Sequence, residues 1–143
     1  MKLLISACLL GVRCRYDGAS KPHPLVEKLA ERHTLVPICP EQLGGLPTPR
    51  MASERQGERV ISAAGDDVTV QYRRGAEEAL RLCRLFGCQA AVLKERSPSC
   101  GHGQIYDGTF TGTVVPGDGV TAELLKQHHI RILGESEIQE LLR

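Results

Sequence analysis

Ala90-Ala91-Val92-Leu93, followed by Lys94-Glu95-Arg96-Ser97-Pro98-Ser99-Cys100-Gly101, reads as a short buried strand that ends in a turn carrying a cysteine. Two other stretches repeat the arrangement: Leu3-Leu4-Ile5-Ser6-Ala7-Cys8, and Leu35-Val36-Pro37-Ile38-Cys39 with Pro40-Glu41 after it. If the three strands are parallel neighbours, Cys8, Cys39 and Cys100 converge on the carboxyl edge of one sheet, where open α/β folds place their ligands. Three thiols at one point read as a metal or cluster site.

The segments between these strands support parallel pairing. Leu25, Val26, Leu29 and Ala30 recur at helical spacing with charged residues between them, so residues 3–38 form a strand, helix, strand unit with a right-handed crossover. Ala76, Ala79, Leu80 and Cys83 at i, i+3, i+4, i+7 predict a helix over 71–86, closed by Gly87. A helix over about 121–128 and a strand over 131–133 follow, and Ser136 with Gln139 reads as a capping box that opens a last helix over 137–142. Weaker signals suggest hairpins pairing Val60-Ile61 with Val68-Thr69-Val70, and Ile105-Tyr106 with Thr109-Phe110 across Asp107-Gly108. Residues 41–55 show no period and read as a long functional loop. The expectation is a single three-layer, Rossmann-like α/β domain over residues 1–143, with a mostly parallel sheet of about four strands.

Composition narrows the function. A chain of 143 residues buries a core without covalent staples. Its six cysteines therefore fit a reducing cytoplasm and metal chemistry better than a disulfide scaffold. Ile5-Ser6-Ala7-Cys8 imitates a lipoprotein cleavage site, but the apolar run before it is too short for a signal peptide, and nothing later approaches the length of a membrane span. A net charge of +1 with interspersed signs, no tryptophan, three tyrosines and two phenylalanines argue against a nucleic-acid polymer as partner. A small molecule is the expected partner, no membrane is implied, and oligomeric state is left open.

Zinc sites draw on close-spaced cysteine pairs, and no C-x-x-C occurs here. Three scattered thiolates instead suit three irons of a cubane, leaving the fourth iron open as a Lewis acid. Cys14 could serve as an alternative ligand or flank the site as a reactive thiol, while Cys83 and Cys88 read as core residues. His102, two residues after Cys100, is the best argument for zinc. His128-His129 fits a helix end better than a metal. Glu41, two residues after Cys39, is placed to move protons. Ser97 and Ser99 offer hydroxyls beside Cys100, and Lys94 and Arg50 could hold an anionic or carbonyl-bearing substrate.

Three motifs in order, Ser6-Ala7-Cys8-Leu9-Leu10-Gly11 with Cys14-Arg15-Tyr16-Asp17-Gly18, Cys39-Pro40-Glu41 with Gly44-Gly45-Leu46-Pro47-Thr48-Pro49-Arg50, and Lys94 with Ser97-Pro98-Ser99-Cys100-Gly101, make the chain resemble the thiouracil desulfidase-like family of small bacterial domains. That resemblance implies a 4Fe–4S cluster on Cys8, Cys39 and Cys100 whose open iron takes the sulfur of a thiolated base. Water then replaces the sulfur, without redox change. It further implies Glu41 and Ser99 as catalytic groups, with Ser97, Lys94, Arg50 and Asp17 around the substrate. The rival expectation is a non-catalytic zinc or iron–sulfur module that senses metal or redox state, or carries sulfur.

Overall fold

The computed structural model describes all residues, 1–143. Four strands form the central sheet: β1 (Lys2–Ser6), β2 (Thr34–Ile38), β5 (Ala90–Leu93) and β8 (Arg131–Gly134), in the order β2-β1-β5-β8 and all parallel. Leu3, Ile5, Ala90, Val92 and Leu133 face one way and Leu4, Ala91, Leu93 and Ile132 the other, each set entering its own buried cluster. This is why the strands read as continuous apolar runs: both faces are covered. Helix α1 (Val26–Arg32) and a C-terminal 3₁₀ helix (Glu135–Leu142) lie on the first face. Helices α3 (Thr69–Phe86) and α4 (Val120–Gln127) lie on the second, completing three layers. No helix is long and apolar enough to cross a membrane.

The expected α/β sandwich is present, with two elements paired differently from expectation. β4 (Arg59–Ser62) forms its hairpin with β3 (Ser53–Gln56), mostly inside the stretch expected to be loop, and meets the later segment through an Ile61–Asp67 bridge and a Val68 N–H bond to Val60 O rather than through a second strand. The Thr69 hydroxyl donates to Asp67 and accepts from the Val60 N–H, while Asp67 also accepts the Thr69 N–H. That local turn ends the extended chain and starts α3 at Thr69. Likewise, β6 (Gln104–Tyr106) pairs with β7 (Val114–Pro116), not with residues 109–110. The Thr109 N–H, which would close a tight Asp107-Gly108 hairpin on Tyr106, goes to the Asp107 carboxylate instead, while Glu54 takes the Gly108 and Phe110 N–H groups. The last helix is 3₁₀ and is capped by the Glu137 carboxylate on the Gly134 N–H, while the Ser136 hydroxyl donates to Glu95.

A short helix, α2 (Pro40–Leu43), follows β2 directly and packs on α3 at two glycines. A Cβ on Gly75 would stand 1.9 Å from the Pro40 carbonyl oxygen, and one on Gly44 would stand 2.0 Å from that of Gln71. Both obstacles are backbone, so neither can swing aside. Gly75→Ala is expected to lower stability by about 2 kcal/mol through overpacking, read as a fall in thermal midpoint by circular dichroism. An unchanged midpoint would mean that α2 is not held by this contact.

Candidate active site

The carboxyl edge of the sheet opens into a cavity of about 430 Å³. The chain winds from β1 to β2 on one side and later returns to place β5 on the other, so the crevice falls at the point where the strand order reverses. Cys8 sits in a 3₁₀ turn (Ala7–Leu10) directly after β1. Cys39 is the N-cap residue of α2, directly after β2. Cys100 stands in the turn that follows β5 and precedes β6. All three line the cavity, and so does Cys14, which is 2 % exposed.

The Cys100 turn is built by the start of α4. Val120 N–H donates to Pro98 O, Thr121 and Ala122 N–H donate to Ser99 O, and Gly101 N–H returns to Ser97 O. These bonds satisfy the otherwise unpaired first-turn donors of the helix. They also separate the two serines. Ser99 is buried, its hydroxyl shared with Thr121 at 2.9 Å, and it does not line the cavity. Ser97 does line it, and its Oγ accepts the N–H groups of Ser99 and Cys100 at 3.0 Å each, leaving its proton available to donate. Of the two serines, the cavity wall thus carries the Ser97 hydroxyl and not that of Ser99, the one expected as catalytic.

Glu41 lies on the first turn of α2 and lines the cavity. Its Oε1 accepts Arg50 Nε at 3.0 Å and the Tyr72 hydroxyl at 2.8 Å, whereas Oε2 has no protein partner. Tyr72 is 2 % exposed and reaches Glu41 from α3. The sequence reading missed it because a tyrosine on the inner face of a helix looks like core. Its only signal was its polar hydroxyl, which needs a partner when buried. Burial, then the neighbouring Glu41 carboxylate, raises the Tyr72 phenol well above its usual value, so it stays a donor.

Arg50, expected to hold substrate, lines the cavity, with four of its five N–H donors on Glu41, Pro47 O, Thr48 Oγ1 and, at 2.9 Å, Cys14 O. It ties the Cys14 loop to α2. Lys94 remains on the cavity wall, its ammonium on Glu135 at 2.6 Å. Asp17 is outside the cavity, in an exposed turn where it accepts the Ala19 N–H and pairs loosely with Arg15. His102 is also outside, 3.7 Å from Asp118, and so offers no fourth ligand to the thiols.

Three of the four cavity thiols, Cys14, Cys39 and Cys100, are held above the usual thiol range. Burial pushes Cys100 up to about 12, against hydrogen bonds with Ser6 and Ser99 that act the other way. Cys39 is raised by its hydrogen bond with Cys14 and then by burial. Cys14 is pulled down by Cys39 but raised more by Cys8 and burial together. Four soft thiol donors gathered in one cavity fit an iron–sulfur cluster. No three His, Cys, Asp or Glu side chains close on a single-ion position, whereas a cubane takes one thiolate per iron.

Fold and site together define an open α/β domain with a cysteine-lined cavity at its switch point. The chain belongs to the 2-thiouracil desulfurase family, whose model matches residues 3–137. The uncharacterized protein YbbK of Bacillus subtilis (strain 168) is 41% identical over 150 residues, covering 98% of this chain and 99% of its own. The solved structure of the 4Fe–4S-dependent thiouracil desulfidase TudS matches with a TM-score of 0.93 and 48% identity, covering 99% of this chain and 95% of that one.

A thiol whose folded-state pKa exceeds its unfolded one stabilises the fold below the unfolded value and loses that contribution as pH rises. For Cys100 the window runs from 9.0 to about 12. The cluster-free wild type should therefore lose more stability across that window than Cys100→Ser does, read from chemical denaturation at each pH. Parallel curves would refute the burial of a neutral thiol at this position.

Proposed function

We propose that this chain is a desulfidase that converts the thiocarbonyl of a small thiolated base, such as thiouracil, into a carbonyl, with a 4Fe–4S cluster on Cys8, Cys39 and Cys100. The observation that carries the reading is the meeting, in one cavity, of those thiols with the unpaired Glu41 oxygen and the free Ser97 proton. The TudS likeness supports both the cofactor and the reaction.

When bound, the cluster supplies an iron without a protein ligand, which acts as Lewis acid and sulfur acceptor. The overall change is redox-neutral: C=S and water become C=O and hydrogen sulfide. Glu41 takes the proton of the attacking water on the oxygen that Arg50 and Tyr72 leave free. Those two donors hold the carboxylate in one orientation, which is the task assigned to Arg50 here. Ser97 donates its proton as a hydrogen bond toward the substrate, and Lys94 bounds the cavity beside it. Cluster loading requires three thiolates, so it releases protons from Cys8, Cys39 and Cys100. Residues 1–143 act as one catalytic domain in the cytoplasm, in sulfur metabolism, as a hydrolytic enzyme whose partner is a small molecule and not a nucleic-acid polymer or a membrane.

Iron and acid-labile sulfide analysis of anaerobically reconstituted protein, followed by a thiouracil-to-uracil assay, tests the reading directly. Glu41→Gln and Ser97→Ala should keep their iron and lose about 100-fold or more in turnover. Ser99→Ala should lower thermal stability by about 1 kcal/mol and leave turnover per cluster near wild type. Full activity in Ser97→Ala with loss in Ser99→Ala would reverse the assignment of the two serines.

A further inference from the structure

The two apolar clusters that sandwich the sheet contain no aromatic residue. The chain has five aromatic residues in all, and four of them, Tyr16, Tyr72, Tyr106 and Phe110, line the active-site cavity. Tyr72 is accounted for by Glu41. Phe110 is the unexplained one. It stands in the loop between β6 and β7 with φ +59°, a left-handed conformation that is costly for a bulky side chain, and 39% of the residue is exposed. Neither core packing nor turn chemistry accounts for a phenylalanine there, since a glycine or asparagine would fit the backbone better and hide no apolar surface.

The loop is nevertheless built to hold that position. Glu54 on β3 is 8% exposed, and one of its oxygens accepts both the Gly108 and Phe110 N–H groups, at 3.0 and 3.1 Å. The backbone is tight at Gly108, where a Cβ would lie 2.7 Å from Gln56 Cγ. A strained residue fixed by a buried carboxylate at the mouth of a cavity points to a function for its ring.

We infer that Phe110 is a specificity-determining residue, a stacking surface that selects planar heteroaromatic thiocarbonyl compounds over non-aromatic thioamides and thioureas. The inference rests on the desulfidase reading of the same site and adds the group that recognises the ring. A π-face carries stacking that an aliphatic side chain of similar area does not. Non-aromatic thiocarbonyls gain nothing from it.

Phe110→Gly tests this without threatening the fold, because glycine relieves the backbone conformation. Its thermal midpoint should equal or exceed that of wild type. On cluster-loaded protein, the KM for thiouracil and the calorimetric Kd for uracil should rise roughly tenfold or more, with kcat changed little. Phe110→Tyr should restore both, Phe110→Leu should not, and any turnover of thiourea should be indifferent to all three. Unchanged uracil affinity in Phe110→Gly, or a falling midpoint with unchanged affinity, would overturn the inference and assign Phe110 to structure. A wild type that binds uracil but leaves thiouracil intact would sink the desulfidase reading, with the stacking role still decided by the Kd values of the variants. A wild type that does neither would remove both.

Discussion

Parallel pairing of β1 with neighbours on both sides is the constraint from which the site follows. A parallel sheet ends all its strands at one edge, and an internal first strand forces the later connections to diverge from it. The residues after β1, β2 and β5 therefore fan apart around a crevice that no strand fills. Ser6, the last residue of β1, fixes its geometry: its hydroxyl accepts the Lys94 N–H at 2.9 Å. One side chain thus ties the strand leading to Cys8 to the loop carrying Cys100.

Polar groups inside such a crevice are tolerated only when paired, and here the pairing also assembles the site. The Arg50 and Glu41 side chains are 6% and 16% exposed, with the guanidinium bridging the Cys14 carbonyl, the 47–48 segment and α2. Its charge is balanced by Glu41, and three further N–H donors meet two carbonyls and a hydroxyl. What this network leaves unpaired is one Glu41 oxygen on the cavity wall and one guanidinium N–H. The raised Cys14, Cys39 and Cys100 thiols line the same buried volume.

Much of this was legible in the chain because strand and helix periodicity and strand-end cysteines are local signals. Cys8, Cys39 and Cys100 were placed by counting residues from apolar runs, and Glu41 by its distance from Cys39. What was not legible depended on contacts between distant segments. Ser97 and Ser99 are equivalent in sequence, and only the start of α4, about twenty residues later, turns one into the helix wall and leaves the other in the cavity. Arg50 looked free until the carbonyls of its own loop and of Cys14 engaged it. Asp17 belongs to a motif that lies close to the site, but its carboxylate closes its own turn. The 105–110 segment has good hairpin chemistry, but Asp107 takes the closing Thr109 N–H and a carboxylate more than fifty residues away, on Glu54, holds Gly108 and Phe110.

That carboxylate shows how the cavity roof is aligned with its floor. Glu54 and Arg55 are adjacent on β3, so their side chains leave opposite faces of the strand. Glu54 holds the Phe110 loop, while Arg55 donates to Asp118 O at 2.8 Å and to Glu123 at 2.7 Å, at the entrance to α4. The same end of α4 secures the Cys100 turn through Val120 and Thr121. A single short strand outside the main sheet therefore couples the ring at the cavity mouth to the thiol at its base. Two neighbouring side chains of opposite charge on β3 thus bear on one cavity, Glu54 at its mouth through the Phe110 loop and Arg55 at its base through the start of α4.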